Sequence, residues 1–148
     1  FNKLVNSMNL VIDSSEIKID EMNDIDIYNN GFIKKNKDPK VSYIFTQSIY
    51  SGKDASLLSF DFECNSKKNL YENVILSWIP EGFSKNSEIN IKFKVHNGKN
   101  IIPLSSYPSW YFIKHLKKFT LKLDGRRYSC NDFSIKNLEF SSRKTDFN

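Results

Sequence analysis

The chain has 148 residues, 39% of them hydrophobic and 14% aromatic, with 2 Cys and a formal net charge of +5. That length fits one domain whose core needs no metal or disulfide to hold it, and no apolar run reaches the roughly 20 residues that cross a bilayer as a helix. The chain opens at Phe1 without a charged-then-apolar leader, which gives the expectation of a processed product or a part excised from something longer, soluble by itself, with any membrane anchor outside it.

Charge is uneven along the chain. Residues 1–33 carry Lys3 and Lys18 against Asp13, Glu16, Asp20, Glu21, Asp24 and Asp26, a local balance of −4 that leaves +9 for the rest. A basic body suits nucleic acid, anionic lipid or acidic polysaccharide as partner. Against that stands a lysine-decorated solvated surface, the preferred reading, because the basic residues sit one by one on polar strand faces. Lys117, Lys118, Lys122, Arg126 and Arg127 form the one cluster worth testing.

In chain order, Ile17/Ile19 and Ile25/Ile27 alternate between acidic residues and read as edge strands or ordered extensions within residues 1–40. Asn29-Asn30-Gly31 is a turn signal, and residues 34–39 form a charged loop ending in Asp38-Pro39. Val41, Tyr43 and Phe45 open the sandwich proper, expected over 41–141. After a turn at Ser51-Gly52-Lys53-Asp54, Leu58, Phe60, Phe62 and Cys64 point one way and Ser59, Asp61 and Glu63 the other, as in a half-buried strand. Residues 74–79 are apolar on both faces apart from Ser77, which predicts a central strand covered above and below.

Ile89, Ile91, Phe93 and Val95 alternate next, and Asn97-Gly98 reads as the strongest hairpin turn, with residues 101–104 pairing back. A loop around Tyr107 and Pro108 leads to one or two helical turns within 110–118. Phe119, Leu121 and Leu123 form another strand, and Asp124-Gly125-Arg126 turns it. The last strand begins at Phe133 and Ile135, but Leu138 and Phe140 are one residue out of step, which calls for a bulge near Lys136-Asn137. The sum is an all-β antiparallel sandwich in a single domain over 1–148, with about eight strands and little helix.

Three stretches, Val74-Ile75-Leu76-Ser77-Trp78, Gly82-Phe83-Ser84, and Trp110 followed by Leu121-Lys122-Leu123-Asp124, carry a resemblance. Together with the strands between and after them they resemble the galactose-binding-like, carbohydrate-binding jelly rolls of bacterial cell-surface and glycan-handling proteins, over roughly 41–141. The resemblance implies a non-catalytic module, extracytoplasmic and bacterial, that touches a glycan or polysaccharide or belongs to a membrane-embedded parent. The family's arginine in the later strand is Lys122 here, which lacks the planar two-pronged donor set of arginine.

A sugar stacks its C–H face on an aromatic ring and takes hydrogen bonds at its hydroxyls. Tyr107, Trp110 and Tyr111, with Lys122, Asp124, Arg126 and Arg127, are therefore the candidate ligand residues. Trp110 has a second reading, as a plug at the sandwich end, whereas Trp78 shares the face of Val74 and Leu76 and belongs in the core. Cys64 and Cys130 would either face each other as a disulfide in an oxidising compartment or stay as two buried thiols.

Catalysis is not expected. Neither cysteine has the exposed, Gly-rich setting of a reactive thiol. No G-x-S-x-G elbow appears, and the Asp61/Glu63 pair is ordinary for a solvated strand. With only His96 and His115 a zinc site lacks ligands. No cofactor is expected, although Asp38, Asp54, Asp61, Glu63 and Asp132 leave a structural calcium ion open. The leading function is a glycan-associated module. The alternatives are a structural or protein-interaction lobe of a membrane glycosyltransferase and, the least favoured, a single-stranded nucleic-acid binder.

Overall fold

Period-two alternation puts every second side chain of a strand on one face, so two such sheets bury their apolar faces against each other. The computed structural model describes residues 4–65, 71–126 and 129–147, and these form that two-layer antiparallel sandwich. Its strands are β1 (Leu4–Ile12), β2 (Ile17–Asn23), β3 (Ile25–Tyr28), β4 (Gly31–Lys34), β5 (Lys40–Ile49), β6 (Leu57–Cys64), β7 (Tyr71–Trp78), β8 (Ile89–His96), β9 (Gly98–Pro103), β10 (Leu116–Leu123) and β11 (Asp132–Phe147). One α-helical turn, α1, spans Pro108–Tyr111. The first sheet runs β3-β4-β11-β6-β9, with β1 also paired to β11; the second runs β2-β5-β10-β7-β8.

The described residues thus hold eleven strands where about eight were expected. The surplus lies before residue 40: Ile12, Ile17, Ile25 and Phe32 are buried, and residues 4–40 supply strands to both sheets. The expected bulge is present. The β11–β6 register slips between Lys136 and Glu139, Asn137 takes a positive φ of 58°, and its side-chain amide donates to Asp61 at 2.7 Å.

Two expectations are corrected. Asn97-Gly98 does not close a hairpin, because β8 lies in the second sheet and β9 in the first. The Asn100 side chain takes over the ladder partners of β8 there: it accepts from the His96 N–H at 3.0 Å and donates to the His96 carbonyl at 2.9 Å. Asn97 meanwhile accepts from the Cys64 N–H at 2.7 Å. The tight Asn hairpin is Asn29-Asn30, both at positive φ, which joins β3 to β4 with Tyr28 opposite Gly31. Nor is β7 the centre of its sheet or covered twice; β10 holds the middle, and Asn73 and Ile75 on the outer face of β7 are half-exposed.

The core is a lattice of rings. Phe140 of the first sheet meets Phe45 and Phe119 of the second edge-on, at 5.4 Å and 5.5 Å between centroids. Trp110 lies flat on Phe140, 5.7 Å away at 8° between planes, and meets Trp78 edge-on at 5.2 Å. All five rings are at most 3% exposed, so each contributes roughly 1.5–3 kcal/mol by burial alone.

The other end is held by polar and covalent bonds. Cys64 and Cys130 are disulfide-bonded, 66 residues apart in sequence, with Cα atoms 5.9 Å apart. Beside them Lys34 of β4 pairs with Glu72 of β7 at 2.6 Å, their side chains 3% and 0% exposed, so the ion pair spans the two sheets. Lys34 also donates to the Asp124 carbonyl and to Ser129 at 3.2 Å, and lies 5.6 Å from the Phe133 ring centre. Burial pushes the Lys34 ammonium down and the Glu72 carboxyl up, each opposed by its partner's charge and hydrogen bond.

Replacing both cysteines with serine should cost about 4 kcal/mol in urea unfolding, the chain-entropy value for a loop of this size. Glu72→Ala should cost about 3–5 kcal/mol because it leaves Lys34 charged and unpaired inside. Lys34→Met with Glu72→Leu should restore most of that loss.

Candidate functional site

The end of the sandwich that carries α1 is built around one backbone approach. Pro108 opens the turn, where its missing N–H costs nothing, and Trp110 then points inward. Its indole N–H donates to the Ala55 carbonyl at 2.9 Å. Gly52 packs against the Trp110 carbonyl so closely that a Cβ there would lie 1.8 Å from that oxygen, and its N–H donates to the Ile113 carbonyl at 3.0 Å. With Trp110 drawn in and Ile113 tied down, Tyr111 and Phe112 are left outside.

Phe112 is 74% exposed and Phe83, on the loop after β7, is 64% exposed. They line the same cleft, of ≈ 380 Å³, whose apolar surface includes Trp78, Pro80, Ile89 and Ile113. Polar groups on its lining are Ser109, Lys114, Glu81 and His115. His115 holds Glu81 through Nδ1, and its ring lies 5.4 Å from that of Tyr50, itself 73% exposed. The imidazole therefore ties the β7 loop to the segment after α1. Tyr111 meets Phe112 edge-on at 5.1 Å, which props the outer ring. Chemically this is a concave apolar surface with exposed rings and a few polar groups, the make-up of a small-ligand site.

The structure scatters the residues singled out in the sequence. Trp110 is 0% exposed, with ring contacts to Phe140 and Trp78 and its N–H used, so no sugar face can reach it and the plug reading replaces the platform. Tyr107 is half-buried against the core. Only Tyr111 is exposed beside the cleft. Lys122 lies on the outer face of the second sheet, paired with Glu88. Asp124 and Arg126 sit beyond the far end of β10, some 23 Å of strand away from α1. There Arg126 binds the Asp124 carboxylate and holds it below the usual carboxylate range. Arg127 lies outside the described residues.

The basic cluster is equally dispersed, since Lys117, Lys118 and Lys122 are spread along β10 and Arg126 follows its end. Of the five acids considered for calcium, three have other partners. Asp38 pairs with Lys40, Asp61 accepts from Asn137 and Asp132 from Asn65. Among the described residues no group of three or more His, Cys, Asp or Glu side chains is placed to hold a metal ion.

Phe112, Tyr50 and Glu81 are the residues that sequence reasoning passed over. A signal for Phe112 did exist: in Trp110-Tyr111-Phe112 a single helical turn cannot bury three consecutive rings, so at least one must face water. No protein-family profile matches the chain, and no curated protein matches it. A solved structure, a low affinity xylan binding module CBM86 from the gut symbiont Roseburia intestinalis, is similar over 96% of this chain and 96% of its own. Identity is 7% and the TM-score 0.49. A likeness of that degree carries no argument about what this chain binds.

Trp110→Ala should cost about 3–5 kcal/mol in urea unfolding through the cavity it leaves. Trp110→Phe should cost about 1–3 kcal/mol, mainly from the Ala55 carbonyl left unpaired.

Proposed function

We propose that the domain is a non-catalytic glycan-binding module of an extracytoplasmic bacterial protein, and that a saccharide docks in the cleft between Phe83 and Phe112. The observation that carries this is the pair of exposed phenyl rings, 64% and 74% accessible, lining one cleft. Exposed rings gain most from a ligand with flat apolar faces and a hydroxylated edge. Glu81, His115, Ser109 and Lys114 supply acceptors and donors for that edge.

The disulfide supports an oxidising location, since such bonds persist outside the reducing cytosol. A second reading has its own observation: Tyr50 and Tyr111 widen the exposed aromatic surface around the cleft, and a ring patch of this kind also suits docking to a parent enzyme.

A glycan array followed by calorimetry on its hits separates the two. Phe112→Ala and Phe83→Ala should each weaken glycan binding about tenfold, in line with ring-stacking energies. Because both rings are mostly exposed, unfolding free energy should move by no more than about 0.5 kcal/mol. A silent array, or variants that bind like the parent, would leave protein docking as the role of the cleft.

A further inference from the structure

The outer face of the second sheet carries a different surface. Because paired residues share a face, the register places Glu21, Ser42, Thr120, Ser77 and Asn90 in one row across all five strands. The middle three are short hydroxyl side chains, so the row is a trough. Ser42 and Thr120 are hydrogen-bonded at 2.8 Å. Lys118 and Lys122 stand two residues to either side of Thr120 on β10, which sets the banks about 13 Å apart. Lys40 is paired opposite Lys122, and Lys85 lines the same cleft of ≈ 250 Å³.

Ser77 is the decisive group. It is 1% exposed and its hydroxyl has no hydrogen-bond partner, yet it lines this cleft. An unpaired buried hydroxyl costs free energy that only a partner can recover. Above it, the Lys122–Glu88 ion pair runs diagonally from β10 to the start of β8, over the β7 position that Ser77 occupies. Both partners are partly exposed, at 27% and 33%, so the bridge is weakly held.

We propose that this trough is a second binding site, for an anionic glycan strand laid across the five β-strands. An incoming carboxylate or sulfate takes Lys122 from Glu88, Lys118 and Lys40 meet further anions, and Ser77 gains its missing partner from the ligand. Hydroxyls on the floor suit sugar hydroxyls. Single-stranded nucleic acid fits less well: the rings that line the cleft, Trp78 and Phe119, are 3% and 1% exposed, so no ring face is offered for a base to stack on.

The test is affinity electrophoresis of the full chain through polygalacturonate, dextran sulfate and neutral dextran, with oligo(dT) binding measured at the same ionic strength. Retardation by one or both charged glycans and not by dextran is expected. Lys118→Gln with Lys40→Gln should weaken it about tenfold and flatten its salt dependence. Ser77→Ala should weaken it several-fold without lowering the thermal midpoint. Glu88→Gln should strengthen it, whereas Glu63→Gln, the same charge change on the other sheet, should not. Phe112→Ala should leave it intact, which keeps this site distinct from the end cleft. Stronger retardation by polygalacturonate assigns a uronate ligand and by dextran sulfate a sulfated one. No retardation, an inert Ser77→Ala, equal effects of Glu88→Gln and Glu63→Gln, or oligo(dT) binding at least as tight would each overturn the proposal.

Discussion

The packing of Phe140 between Phe45, Phe119 and Trp110 is the contact on which the molecule turns. It joins the last strand of one sheet to β5 and β10 of the other, so it sets how far apart the layers stand. It also needs the bulge at Asn137, without which Phe140 would point to solvent. And by holding the Trp110 ring it pulls α1 into the end of the sandwich. The exposed position of Phe112 is a consequence of that inward pull, two residues earlier.

The opposite end answers a different problem. The chain must cross from β10 to β11, between sheets. The disulfide at Cys130 and the Lys34–Glu72 pair hold this crossing, with Lys34 collecting the Asp124 carbonyl and the Ser129 hydroxyl. Gly125 completes the closure, since a Cβ there would meet the Lys37 carbonyl at 2.0 Å. Buried charge of this sort adds little net stability against an apolar replacement. What it does is tie β4 of one sheet to β7 of the other.

Legibility in the sequence followed the physics of each element. Alternation showed the inner faces of β5, β6, β8 and β10, and a phase slip of one residue located the bulge at Asn137, because a strand's two-residue period makes any insertion visible. The two-faced choice at Asn97-Gly98 was not visible. A turn of that composition serves a hairpin or a crossing between sheets equally well, and the outcome depends on Asn100, whose side chain replaces the ladder. Trp110 failed as a ligand residue for a related reason: ring type says how much surface is worth burying, whereas the Gly52 contact, made from 58 residues away, decides which of three adjacent rings is buried.

The misjudged cover of β7 carries the last step. A run such as Val74-Ile75-Leu76-Ser77-Trp78 reads as buried on both faces, and Ser77 is indeed 1% exposed, although no third layer of described residues lies over it. Lys122 and Glu88 line the same cleft, and the ion pair they form is partly exposed. Such a pair is removable. A helix packed on the same face would cost many kcal/mol to displace, but an exposed ion pair is worth at most about 1 kcal/mol. The outer face therefore combines a buried, unpaired hydroxyl with a lid that a charged ligand can move by offering Lys122 a better partner. That arrangement distinguishes it from an ordinary solvated strand face bearing lysines.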